Sequence, residues 1–168
     1  MTNPSTMQVQ PIGIIHSAFK ECQGMPVQPT RACGAVGTVR LFDEFVAGLK
    51  DLAGFERIWL LYWLHRARPA QMSVTPFLDK LPHGLFATRT PARPNPIGLS
   101  HVRLWEVKGA TLHVSDLDIC DGTPLLDIKP YVPQFDCVAV TRCGWLDTAA
   151  PTTGVADGRF EQIGVKNI

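Results

Sequence analysis

The chain has 168 residues, of which 45% are apolar and 18% charged, and a mean hydropathy near zero, so it can bury one core of ordinary size and reads as a single domain. The formal net charge is only +1, which excludes steering of a polyanion by an overall field; any contact with RNA must come from basic groups gathered locally.

In chain order, the N-terminal MTNPSTMQVQ lacks the basic region and apolar stretch of a secretory signal. Residues 10–16 and 38–42 are predicted strands. Asp43 is placed to cap a helix over 44–53, the one short helix expected, with Phe45, Leu49 and Leu52 on one face and Gly54 at its end. Residues 57–65 are almost continuously apolar, with Trp59, Tyr62 and Trp63, which predicts a strand covered on both sides, either central or at a subunit interface. The apolar run 58–64 is too short to cross a bilayer, so no membrane association and a cytoplasmic location are expected. Strands over 85–88, 100–107, 111–118 and 137–145, separated by Pro/Gly-rich loops, complete a mainly β chain. The expected fold is a single closed or nearly closed β-barrel over 1–146, with a polar, turn-rich tail over 147–168. Trp59, Trp63, Trp105 and Trp145 are expected in the core or at an interface rather than as base-stacking platforms.

Two stretches carry chemistry. Residues 86–100, FATRTPARPNPIGLS, hold Arg89 and Arg93 in a loop stiffened by Pro91, Pro94 and Pro96, each of which locks φ and extends the residue before it. Arg89, Arg93 and Asn95 are multi-donor groups suited to phosphate, carboxylate or base edges, and a rigid loop presents them at little ordering cost. Residues 116–133, DLDICDGTPLLDIKPYVP, contain the turn Asp121-Gly122-Thr123-Pro124. No acidic residue lies between Lys80 and Trp105, whereas 110–136 hold five aspartates against Lys129 alone. The stretches therefore either pair across strands or line a cleft for a ligand of both signs. Lys129 and Tyr131 read as a strand end with a buried tyrosine or as a functional pair.

Cys22, Cys33, Cys120, Cys137 and Cys143 are odd in number with no C-x-x-C, and His16, His65, His83, His101 and His113 show no ligand spacing with them, so reduced thiols and no metal are expected.

FATRTPARPNPIGLS followed by DGTPLLDIKPYVP, with IGIIHSAFKE at 12–21, Val-Gln-Pro at 27–29 and FERIWLLYWLHR at 55–66, resembles the TsaA-like, or TrmO, family over residues 12–133. The resemblance implies a barrel that is not a Rossmann fold, S-adenosyl-L-methionine as cofactor bound near a homodimer interface, and N6-methylation of adenine-37, or its threonylcarbamoylated form, in tRNA. Longer members carry a further C-terminal domain that this length does not accommodate, so a smaller methyl acceptor and a non-catalytic cofactor- or nucleotide-binding module stay open as alternatives. Matched residue by residue, the resemblance implies a cofactor site of Pro29, Thr30, Arg31, His65, Arg66, Arg89, Leu99, Asp118, Ile119, Cys120 and Asp121. Thr30, Arg31 and Arg66 differ in type from the family pattern and would contact through backbone atoms. On the acceptor side stand Arg93, Asn95, Lys129 and Tyr131. Asn95 suits an adenine Watson–Crick edge, and Asp118 or Asp121 could take the N6 proton directly or through water.

Overall fold

The computed structural model describes residues 7–32, 34–149 and 155–160. Alternation of apolar side chains builds the strands β1 (Gly13–Ser17), β2 (Gly37–Leu41), β3 (Arg57–Trp63), β6 (Ile97–Lys108), β7 (Thr111–Ser115) and β8 (Thr123–Pro130), with a separate pair, β4 (Ser73–Val74) and β5 (His83–Gly84). The six longer strands close an antiparallel barrel in the order β1-β2-β7-β6-β3-β8. Ile15, Val39, Ile58, Leu60, Val102, Leu112, Val114 and Leu125 fill it, each at most 1% exposed, and Leu117 and Ile119 from the β7–β8 connection plug it. Closure leaves no sheet edge, so every inward side chain is buried by several strands at once.

β3 lies centrally, between β6 and β8, but it is not covered on both sides. Ile58, Leu60 and Tyr62 point inward, while Trp59 and Leu61 are half-buried outside and Trp63 is 47% exposed. A barrel wall takes in one side chain of every two, so an unbroken apolar run necessarily paints the outer surface. Four further elements differ from expectation, the first being β8, a strand over Thr123–Pro130 where the sequence marks only the turn 121–124 and a strand end at Lys129–Tyr131. Residues 43–54 form two 3₁₀ helices, Asp43–Leu49 and Leu52–Gly54, split at Asp51, whose backbone is left-handed (φ 67°). Asp43 lies inside the first and caps nothing with its side chain. Gly48 lowers helical propensity there, and only short tight turns form. Residues Leu85–Ala87 are a 3₁₀ turn, because the Thr88 hydroxyl donates back to the Leu85 carbonyl at 2.8 Å. Residues 137–145 form no strand: the short helix α1 (Pro133–Asp136) follows the barrel, then exposed chain and a 3₁₀ turn at Gly144–Asp147. The barrel is already closed by the β1–β8 pairing, so no edge remains for this segment to join.

A second small core of Val74, Leu85 and Ala92 seats the proline-rich loop, whose Ala92 carbonyl accepts from the Gln71 amide and whose Pro96 carbonyl accepts from the Leu64 amide. This fixes the loop over one end of the barrel. Of the expected tail, 150–154 and 161–168 lie outside the described residues, as does Cys33. Residues 155–159 are held against loops at that same end: the Ala156 amide and carbonyl pair with Met25 and Gly24, and the Arg159 guanidinium reaches the Thr75 and Pro76 carbonyls.

Candidate functional site

A cavity of about 870 Å³ opens at the barrel end beneath the proline-rich loop. Its floor is the inner surface of β3 and β6 at Tyr62, Gly98 and Ser100, with Asp118, Ile119 and Cys120 from the β7–β8 connection. One wall is the chain after β3, with Leu64, His65 and Arg66; another is the loop bearing Phe86, Arg89 and Arg93. Trp145 closes part of the rim by stacking on His83, ring centroids 4.5 Å apart, and by donating its indole N–H to the Ala87 carbonyl. A strand over 137–145 would place it in the core or at an interface; without that strand it is free for this rim.

Asp118 is 7% exposed, and its Oδ1 is buried without a hydrogen-bond partner. Burial raises its carboxyl to a pKa of about 6, against the Ser100 hydroxyl, the backbone and the Arg89 charge, which all favour ionisation. Arg89 is exposed and donates to the Gln28 Oε1 at 2.8 Å. Arg93 donates to the Thr88 carbonyl at 2.9 Å and lies over the Phe86 ring at 5.7 Å. Burial holds the His65 imidazolium below its usual range, so that ring is neutral at pH 7. Arg66 bridges the Lys20 carbonyl, the Cys120 Sγ and the Glu21 carboxylate.

The structure thus gathers His65, Arg66, Arg89, Arg93, Leu99, Asp118, Ile119 and Cys120 around one cavity. Pro29, Thr30, Arg31, Asn95, Asp121, Lys129 and Tyr131 lie outside its lining. Gln28, next to Pro29, is the residue of that turn which reaches it. Asn95 is exposed on the outer side of the loop. Tyr131 packs on Trp59 and His101 outside the barrel, and Lys129 pairs with Asp127 at 2.7 Å. The opposite-sign stretches do not pair as neighbouring strands, because β6 and β8 flank β3 on opposite sides. The aspartates find other partners, Asp116 with Arg57 and Asp121 with Lys20, while Asp118 faces the cavity. Tyr62, Ser100 and Phe86 were not singled out in sequence. The available signal was a hydroxyl at an inward position of each of two apolar strands.

Asp121 accepts from the Ser17 amide at 3.0 Å and from Lys20 Nζ at 2.7 Å. Burial alone would push its carboxyl up, but Lys20, the Ser17 amide and His16 outweigh this and hold it below the usual range. Its stabilisation is therefore present above the unfolded-state pKa and lost as pH falls below it. Asp121→Asn is expected to cost about 1 kcal/mol of folding free energy at neutral pH, read by urea denaturation, and to leave ligand affinity within about twofold.

A barrel-end cavity with a guanidinium at its mouth, a buried carboxyl on its floor and apolar walls between them is a site for a small molecule carrying both charges. Residues 14–137 match the family described as the tRNA-methyltransferase O N-terminal domain, and the chain belongs to that family. It is 51% identical over 162 residues to a probable S-adenosyl-L-methionine-binding protein of Pyrococcus abyssi, covering 95% of this chain and 88% of that one. It is 35% identical to the human tRNA (adenine(37)-N6)-methyltransferase over 76% of this chain and 30% of that protein. A crystal structure of TrmO from Pseudomonas aeruginosa superposes with a TM-score of 0.70 at 43% identity, covering 83% of this chain and 62% of that one. The chain therefore spans less than two thirds of the solved TrmO chain and of the human enzyme. Among the described residues no helix is long and apolar enough to cross a membrane, and no three His, Cys, Asp or Glu side chains cluster as metal ligands.

Proposed function

We propose that this protein binds S-adenosyl-L-methionine in the barrel-end cavity and methylates N6 of adenine-37 in tRNA. The observation that carries the reading is the buried, unpartnered Oδ1 of Asp118. A desolvated carboxylate with one oxygen lacking a donor is costly, and a ligand that brings positive charge beside it offsets that cost. S-adenosyl-L-methionine fits the groups present: Arg89 suits its carboxylate, Asp118 its positive groups, and the apolar surface of Leu64, Leu99 and Ile119 its adenine. When bound, it supplies an activated methyl group on sulfonium sulfur.

The chain's own contribution is to orient, to exclude water and to hold a proton acceptor. An amino nitrogen becomes strongly acidic once it gains a methyl group, so a carboxylate in the cavity suffices to take its proton. Asp118 serves, directly or through one water. The acceptor base is read onto the exposed ring of Phe86, with Arg93 beside it, at the cavity mouth. The exposed apolar strip of Trp63, Ile97 and Leu99 next to that mouth supports a homodimer covering it, and the tRNA substrate supports a cytoplasmic location.

Calorimetry with S-adenosyl-L-methionine tests the site, and mass spectrometry of tRNA nucleosides from cells with and without the gene tests the acceptor. No heat of binding at millimolar cofactor sinks the reading; unchanged N6-methylation with intact binding leaves a cofactor-binding module or another acceptor. Affinity is also expected to depend on pH with a defined sign. Protonation of Asp118 competes with a cationic ligand, so affinity is flat above pH 6 and falls about tenfold per unit below it. The same titrations run between roughly pH 5 and 7.5 measure this.

A further inference from the structure

Arg89 is supported at the cavity mouth from two directions, and both supports reach one short segment, residues 155–159. The first is Gln28, whose Oε1 accepts from Arg89 Nη1 at 2.8 Å and so leaves the other terminal nitrogen for a ligand carboxylate. Gln28 opens the 3₁₀ turn Pro29–Arg31, and the chain leading into that turn is tied to 155–156. The Gly24 amide donates to the Ala156 carbonyl at 2.8 Å, the Ala156 amide donates to the Met25 carbonyl at 2.9 Å, and Pro26 bridges Val155. The second support is the small core of Val74, Leu85 and Ala92, which seats the proline-rich loop and against which Phe77 packs. Arg159 grips the chain on that side.

Every nitrogen of the Arg159 guanidinium is engaged. Nε and Nη2 bind the Asp157 carboxylate at 2.9 and 2.6 Å, Nη1 donates to the Thr75 and Pro76 carbonyls at 3.2 and 3.3 Å, and the group lies 5.3 Å from the centre of the Phe77 ring. A guanidinium held on three sides is ordered in advance, and it transmits that order to the backbone it grips. Arg68 adds a bond to the Gly158 carbonyl at 3.4 Å. Between these grips Ala156 and Asp157 line the cavity, so the segment joins two walls of the site at the point where it forms part of a third. We propose that Arg159 is a positioning residue: through 155–159 it clamps the 24–28 chain to the 75–77 chain and thereby holds Arg89 where a ligand carboxylate meets it. This rests on the functional reading only for the identity of the ligand. The clamp itself belongs to the ligand-free protein.

The Arg159 side chain is 40% exposed and belongs to neither apolar core, so Arg159→Ala removes the grip without opening a void. The test is a double-mutant cycle of Arg159→Ala with Arg89→Ala, read by calorimetric titration with S-adenosyl-L-methionine, together with hydrogen–deuterium exchange of the ligand-free proteins. Arg159→Ala is expected to weaken binding about three- to tenfold in the parent and by less than about twofold where Arg89 is already alanine, because nothing is then left to position. Exchange should rise severalfold over 22–28 and 85–93 and stay level in the barrel strands. A merely structural role would lose the same factor in both backgrounds. Equal losses, an unmoved affinity in Arg159→Ala, or exchange that stays level over both stretches or rises through the barrel overturns the proposal. If the parent binds no cofactor, the functional reading falls and exchange alone decides: loosening confined to the two stretches supports the clamp, and any other pattern overturns it.

Discussion

Asp118→Asn is expected to weaken S-adenosyl-L-methionine binding by about a hundredfold or more at pH 7 while making the ligand-free protein more stable. The loss follows from removing the negative charge beneath a cationic ligand in a desolvated pocket, where truncating one partner of a buried charge pair costs about 2–5 kcal/mol. The gain follows from linkage. The folded-state pKa of Asp118, about 6, stands above the ordinary carboxylate value of 3.8, so the folded protein holds this proton more tightly than the unfolded chain does. The stability the group contributes is fully present below pH 3.8 and is lost as pH rises through 6. At neutral pH the ionised carboxylate is thus a net liability on the order of 3 kcal/mol, which asparagine lacks. Calorimetric binding and thermal melts at pH 5 and 7.5 read both effects. A variant that binds normally would remove Asp118 from the site, and one that is less stable at pH 7.5 would contradict the desolvation account.

Arg89→Ala should weaken the same binding by about ten- to a hundredfold with a melting temperature close to the parent's. The guanidinium is exposed, and its hydrogen bond runs to Gln28, whereas the loop beneath it is held by the Thr88 hydroxyl, the buried Ala92 and three prolines. Truncation therefore leaves the backbone in place. Solvent reaches the guanidinium from one side, which favours the lower part of that range. Arg89→Lys should recover only part of the loss, because an ammonium cannot form the two parallel bonds of a guanidinium to a carboxylate. The Arg89 charge also favours ionisation of Asp118, so the pH midpoint for binding should move upward in the alanine variant. Unfolding of Arg89→Ala, with normal binding by its folded fraction, would make the arginine a structural group.

Much of the barrel was legible because its strands obey a local rule. Alternation in β1, β2, β6 and β7 marks the inward side chains without knowledge of the partner strand, and proline and glycine mark the turns. The errors fall where local pattern and global pairing part company. Residues 137–145 have an apolar pattern compatible with a strand, and only closure of β1 onto β8 denies them an edge. The run from Ile58 to Leu64 looks doubly buried in sequence, and only its place in a barrel wall with one packed face leaves Trp63 outside.

For the site, the sequence alone determined the chemistry on offer: a braced loop with Arg89 and Arg93, an aspartate-rich turn, and motifs specific enough to name a family. The tertiary structure decided which of those groups converge. Asp118 and Asp121 are three residues apart, yet one is buried on the floor of the cavity and the other faces an ammonium at the surface. That difference is one of solvation and partner, both set by what packs against the turn. Tyr62 and Ser100 are separated by 37 intervening residues and meet because antiparallel pairing of β3 with β6 makes them diagonal neighbours on the inner face, Tyr62 opposite Gly98 and Ser100 opposite Leu60. Local sequence carries residue type and backbone preference; burial and charge environment are properties of the closed barrel, and they decide which carboxylate is a site.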